Sequence, residues 1–176
     1  MNSQIIKVES IFRFVPTALF GFVCWFATVN SANSEARMKQ GEFKLSQPVV
    51  CKSVKGFRDY VELKPPELTT FDKLLVYVEP TGFTLKADGE KKKANLVQNA
   101  RVRAKGSKKY FFERNELFKY EPELTTGRES IFLAASIGFK NVKPGEYVLE
   151  LETIDKSATP EQKILQQIEF VIISGD

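Results

Sequence analysis

Eight basic side chains crowd into positions 91 to 109: Lys91, Lys92, Lys93, Arg101, Arg103, Lys105, Lys108 and Lys109. Cations at that density attract anionic surfaces such as acidic polysaccharide, lipid head groups or nucleic acid. Residues 86 to 114 hold ten Lys or Arg against three Asp or Glu, a local +7, whereas residues 115 to 176 hold six against eleven, or −5. Tyr110-Phe111-Phe112 follows directly and adds rings for stacking. The bland reading of the same residues is a solvated, edge-protecting strand, because lysines discourage edge-to-edge pairing. On residue type alone the bland reading is the stronger.

Other chemistry is sparser. Glu79, Glu113, Asp155 and Glu169 are the acids from which a glycosidase-like carboxylate pair would be drawn, although acids on strands usually serve solubility. The chain has no histidine, which excludes Ser-His-Asp and Cys-His catalysis by this chain alone and every His-containing zinc site. Two cysteines cannot build a four-cysteine zinc site. No glycine-rich phosphate loop, Gly-x-Ser-x-Gly elbow, Ser-x-x-Lys or Asp-rich calcium loop is present. These gaps lead to the expectation of a non-enzymatic protein with no catalytic, metal or cofactor-binding residues and no cofactor.

The elements that must position these residues are strands. Leu74 to Glu79 is rich in β-branched and aromatic residues. Asp88-Gly89 marks a hairpin turn. Leu96 to Ala104 follows, with Leu96, Ala100, Val102 and Ala104 on one face and Arg101 and Arg103 on the other. Ile131, Leu133, Ala135, Ile137 and Phe139 alternate, as do Tyr147, Leu149 and Leu151, and then Ile164, Ile168, Phe170 and Ile172. Val50 to Tyr60 reads as one strand region with Gly56 as a bulge, and residues 115 to 130 as a polar connection. Pro66-Glu67-Leu68-Thr69-Thr70 recurs at Pro122 to Thr126, too short a repeat to argue duplication. Period two without a sustained 3.6-residue period predicts an all-β sandwich of about seven antiparallel strands.

The first 34 residues read as a targeting segment. Lys7 and Arg13 precede an uncharged run from Phe14 to Val29, and Ala32-Asn33-Ser34 then offers small residues for cleavage after Ser34. Val29-Asn30-Ser31 is a second choice of site. The rival is an uncleaved anchor helix, for which 16 residues are short: they rise about 24 Å against a hydrocarbon core of about 30 Å. Residues 35 to 48 read as a flexible linker and 49 to 176 as the domain. The chain beyond Ser34 has 142 residues (176 less 34), enough to bury roughly 68% of its unfolded surface without staples. Cys51 is then the sole cysteine left, so an internal disulfide is excluded and a buried, inert thiol is expected.

Certain runs resemble a known group. Pro144-Gly145-Glu146-Tyr147-Val148-Leu149-Glu150-Leu151 with Asp155 is similar to the closing strands of immunoglobulin-like domains. Together with Cys51 to Phe57, Leu75-Val76-Tyr77-Val78-Glu79 with Phe83, and Ile168 to Ile172, it resembles exported immunoglobulin-like proteins of planctomycete-type bacteria. The likeness spans about residues 50 to 173, with 104 to 130 departing most. It implies a sandwich fold and export, and carries no functional residue. The expectation is an extracytoplasmic module (periplasmic, envelope or extracellular) with a binding or structural role. Its partners would be anionic polysaccharide, lipid head groups or another envelope protein. Export argues against nucleic acid, and membrane contact is expected only if the N-terminal helix is uncleaved. Alternatives are a membrane-tethered assembly subunit and, least supported, a carboxylate-dependent hydrolase.

Overall fold

A computed structural model describes residues 41–89, 91–124, 130–139 and 141–175. The expected targeting segment and residues 35–40 of the expected linker therefore lie outside the described residues. The described chain is all-β. Its strands are β1 (Lys44–Leu45), β2 (Val49–Gly56), β3 (Asp59–Glu62), β4 (Glu67–Thr69), β5 (Lys73–Val78), β6 (Pro80–Thr81) and β7 (Lys86–Asp88). Then come β8 (Lys91–Lys93), β9 (Leu96–Ala104), β10 (Tyr110–Tyr120), β11 (Glu123–Leu124), β12 (Leu133–Gly138), β13 (Gly145–Asp155) and β14 (Gln162–Ile173).

Two sheets dominate. One has the order β10-β9-β13-β14-β4, antiparallel except where β4 runs parallel to β14. The other has the order β12-β5-β2-β3 and is antiparallel throughout. Smaller sheets pair β1 with β6 and order β11-β8-β7. The central β13 pairs with β9 from Tyr147 opposite Ala104 to Asp155 opposite Leu96, and with β14 along its whole length.

The alternation seen in the sequence has a direct physical cause. Leu96, Ala100, Val102, Leu149, Leu151, Ile168, Phe170 and Ile172 from the larger sheet share one apolar core with Val50, Leu74, Val76, Val78, Leu133, Ala135 and Ile137 from the smaller. Two layers of strands thus hide their every-second residues against each other. Phe139, Phe170 and Tyr147 stack in series at one end of this core, with ring centroids 5.4 and 5.8 Å apart.

A second apolar cluster lies on the other face of the smaller sheet. Only Val49 to Cys51 of β2 pair with β5, while the rest of β2 pairs with β3 alone. Val54 from that hairpin joins Cys51, Tyr77 and Ala134, with Tyr60 and Phe132 packed around them. Tyr60 and Phe132 flank the Tyr77 ring at 4.6 and 5.4 Å. The hairpin therefore folds over the sheet and buries a face that a simple two-layer sandwich would leave wet.

The strand map differs from the sequence reading in three places. Val50 to Tyr60 is a hairpin rather than one strand, turning at Arg58 in the left-handed region (φ 55). Residues 115 to 120 continue β10 instead of starting a connection, because a bulge between Arg114 and Phe118 breaks the period that would have revealed it. Order begins before Pro48: Phe43 is buried, and β1 pairs with β6. Gly82 (φ 66) makes that entry possible, since any side chain there would run into the Glu42 carbonyl. Counting the short pieces, the described residues hold fourteen strands against the seven or so expected.

Candidate functional site

The structure splits the basic stretch between two ends of a sheet. Lys91, Lys92 and Lys93 form β8, between β7 and β11, just ahead of the first residue of β9. Lys105, Lys108 and Lys109 lie in the turn after its last residue. The nine residues of β9 hold the two groups about 27 Å apart. The lysines of the stretch therefore fall into two groups at opposite ends of β9, with Arg101 and Arg103 between them.

Arg101 and Arg103, midway along β9, are engaged with an acid. β13 places Glu150 directly opposite Arg101. Arg101 Nη2 lies 3.3 Å from Glu150 Oε2, and Arg103 Nε lies 3.2 Å from Oε1. The Tyr110 hydroxyl donates to Oε2 at 2.8 Å, and Gln167 Nε2 donates to Oε1 at 3.3 Å. The Arg101 guanidinium also stacks 5.1 Å above the Tyr110 ring. Burial alone would raise the Glu150 pKa, but the Tyr110 and Arg103 hydrogen bonds and the two guanidinium charges outweigh it and hold the carboxyl below its ordinary value. Glu150 is thus locked as an anion with both oxygens occupied, the opposite of a general acid. The two arginines lie on the outer face as expected, but they share one carboxylate there, which answers half of their combined charge.

Lys105 is similarly occupied, lying 2.9 Å from Glu169 and 3.4 Å from Glu146. Lys108 and Lys109 are different. Both are exposed, and neither forms an ion pair among the described residues. Their turn is well fixed: Gly106 adopts φ 80, the Ser107 amide donates to the Ala104 carbonyl, and the Lys109 amide donates to Ser107 Oγ. The next strand brings Phe111, 38% exposed, edge-on to Tyr147 at 5.5 Å. The Tyr147 hydroxyl donates to the Lys143 carbonyl at 2.5 Å, and this bond ties the turn carrying exposed Lys143 to the same end. Lys143 was not singled out from the sequence. Its only signal there is its place directly before Pro144-Gly145.

The four carboxylates picked from the sequence have separate attachments. Glu79 accepts from Tyr77 and pairs with Arg58. Asp155, fully buried, accepts from the Thr84 and Ser157 amides at 2.6 and 2.9 Å. Glu169 holds Lys105, and Glu113 is exposed on β10. Cys51 is buried beside the Val49 carbonyl at 3.4 Å, and burial, helped by the Glu62 charge, pushes its thiol up to about 11.

No protein-family model matches this chain, and no curated protein matches it either.

Proposed function

We propose that this chain is an extracytoplasmic immunoglobulin-like module that attaches to an anionic component of the cell envelope. The observation carrying the attachment is the contrast in charge pairing between β9 with Lys105 and the two turns at that end of the sheet. Arg101, Arg103 and Lys105 are each met by an acid, whereas Lys108, Lys109 and Lys143 stand exposed together without one among the described residues. Cations left without internal partners present their field to solvent and to whatever anion approaches.

The immunoglobulin-like reading draws support from strand order. The sequence of neighbours β4-β14-β13-β9-β10 opposite β2-β5-β12 corresponds to a first-strand segment, G, F, C and C′ facing A, B and E. The bond from Tyr147 to the backbone four residues upstream resembles the tyrosine corner at the start of strand F. Leu149, two residues on, takes the place where antibody domains carry a cysteine and is fully buried. Aliphatic packing would do the work of the inter-sheet disulfide.

The test is retention on a sulfated-polysaccharide column. The protein should bind at low salt and elute as ionic strength shortens the Debye length. Reversing Lys108, Lys109 and Lys143 to Glu should abolish retention, whereas reversing Lys91, Lys92 and Lys93 should leave most of it. Equal elution of the first triple variant and the parent would sink the attachment. Export is tested separately: the N-terminus of protein recovered outside the cytoplasm should begin near Glu35.

A further inference from the structure

We infer that the anionic component is a lipid bilayer, met edge-on by the end of the sandwich that carries Lys108, Lys109 and Lys143; this rests on the attachment proposed above. The strands of the larger sheet converge at that end. β9, β14 and β4 finish there, and β10 and β13 begin there. Five large hydrophobic side chains are exposed among the described residues, and three of them, Phe71, Phe111 and Ile173, sit at this end. One exposed apolar residue means little. Three spread along one rim, beside lysines that pair with no acid among the described residues, form an amphiphilic surface.

Phe71 is the most exposed of the five, at 83%. It is also held in place. Asp72 Oδ2 accepts from the Thr69 amide at 2.7 Å and from the Thr69 hydroxyl at 2.8 Å, and the Asp72 amide returns to the Thr69 carbonyl at 3.1 Å. That closed turn leaves the ring largely exposed, one edge of it against Gly175, and occupies the carboxylate of the one acid in it. Ile173 lies opposite Thr69 in the parallel ladder, so its exposed side chain stands beside the same turn. Phe111 comes from the far edge strand, whose backbone lies four strand spacings or about 19 Å from β4, and its ring leans inward to Tyr147 of β13. Two acids nearby, Glu146 and Glu169, share Lys105 between them, the shorter contact being to Glu169.

Apolar tips with flanking lysines are complementary to one kind of partner in both respects. Rings enter the headgroup and acyl boundary, and ammonium groups meet anionic headgroups within a Debye length. A soluble polysaccharide answers only the charge. Gly41, where the described chain begins, lies against Gly82 beyond β6, at the opposite end of the sandwich. The rim residues named above all belong to the folded domain, at the end away from Gly41.

Hydrogen exchange of the full chain, read peptide by peptide, tests this without interference from the N-terminal segment. Vesicles of phosphatidylcholine with phosphatidylglycerol should slow exchange in residues 69–72, 105–111 and 141–145. Pure phosphatidylcholine should not. Phe71→Ser should raise the lipid concentration needed for half-protection about tenfold, the loss expected for one apolar ring withdrawn from the interface, and Phe71→Trp should restore it. Protection that ignores Phe71→Ser overturns the proposal. So does protection of the lysine turns by sulfated polysaccharide but not by anionic vesicles, an outcome that leaves the attachment itself standing. No protection by either ends both.

Discussion

The backbone amide of Arg58 donates to the hydroxyl of Tyr77 at 2.9 Å, across nineteen residues of sequence. The same hydroxyl donates onward to Glu79 at 3.0 Å. One phenol thus satisfies the hairpin turn between β2 and β3 and fastens it to the end of β5. Burial is the main reason its pKa climbs, to about 12, even with the Arg58 amide favouring the phenolate.

Removing that oxygen should cost more than its neighbour's. Tyr77→Phe leaves an amide and a carboxylate oxygen without this partner and should destabilise by about 1–2 kcal/mol. Tyr60→Phe, which keeps the ring contact at 4.6 Å, should change stability by less than about 0.5 kcal/mol. Urea unfolding of both variants checks the difference, and equal midpoints would mean that the hairpin is held by ring packing alone.

Glu150 makes stability depend on acid. Its folded pKa lies below the ordinary value of 4.5, so the unfolded chain binds the proton more readily. The stabilisation is complete above 4.5 and is lost as pH falls from there through the folded value. Glu150→Gln should destabilise at pH 7 by about 1–3 kcal/mol, with the partly exposed arginines keeping the cost at the modest end for a broken pair. It should also remove part of the acid slope. Parallel unfolding series at pH 3 to 7 give the answer, and superimposable slopes would argue against a depressed carboxyl.

Cys51 should be silent toward thiol reagents in the native protein. With its pKa near 11 and its sulfur buried, it has almost no thiolate at pH 8. Labelling with a chromogenic disulfide at pH 8 should leave Cys51 unmodified until urea is added. Rapid labelling under native conditions would show that the β2–β3 hairpin opens readily.

Tyr147→Phe isolates the bond to Lys143. The ring would keep its place against Phe111 and Phe170, and the loss should be about 1 kcal/mol. Hydrogen exchange should quicken locally in residues 141–145, whereas a uniform increase across β13 would point to a global role.

Strands whose inner face is apolar were legible in the sequence. β9 has the predicted bounds, and β12, β13 and β14 lie where Ile131 to Phe139, Tyr147 to Leu151 and Ile164 to Ile172 alternate. β10 was half hidden because it is an edge strand, with Glu113, Arg114 and Glu116 exposed and a bulge that shifts its period. The charge pattern was legible only as density. Which cations are neutralised depends on register: Glu150 meets Arg101 and Arg103 because β13 lies antiparallel to β9, and no local spacing encodes that. Lys143 joins Lys108 and Lys109 through a bond from Tyr147 and a ring contact to Phe111, both between separate turns.

The β2–β3 hairpin has a consequence for self-association. Because this flap thatches the aromatic side of the four-stranded sheet with its own Val54 and Tyr60, a second copy finds no bare greasy panel there to stack upon. Growth into back-to-back pairs through that flank would first require peeling the flap away.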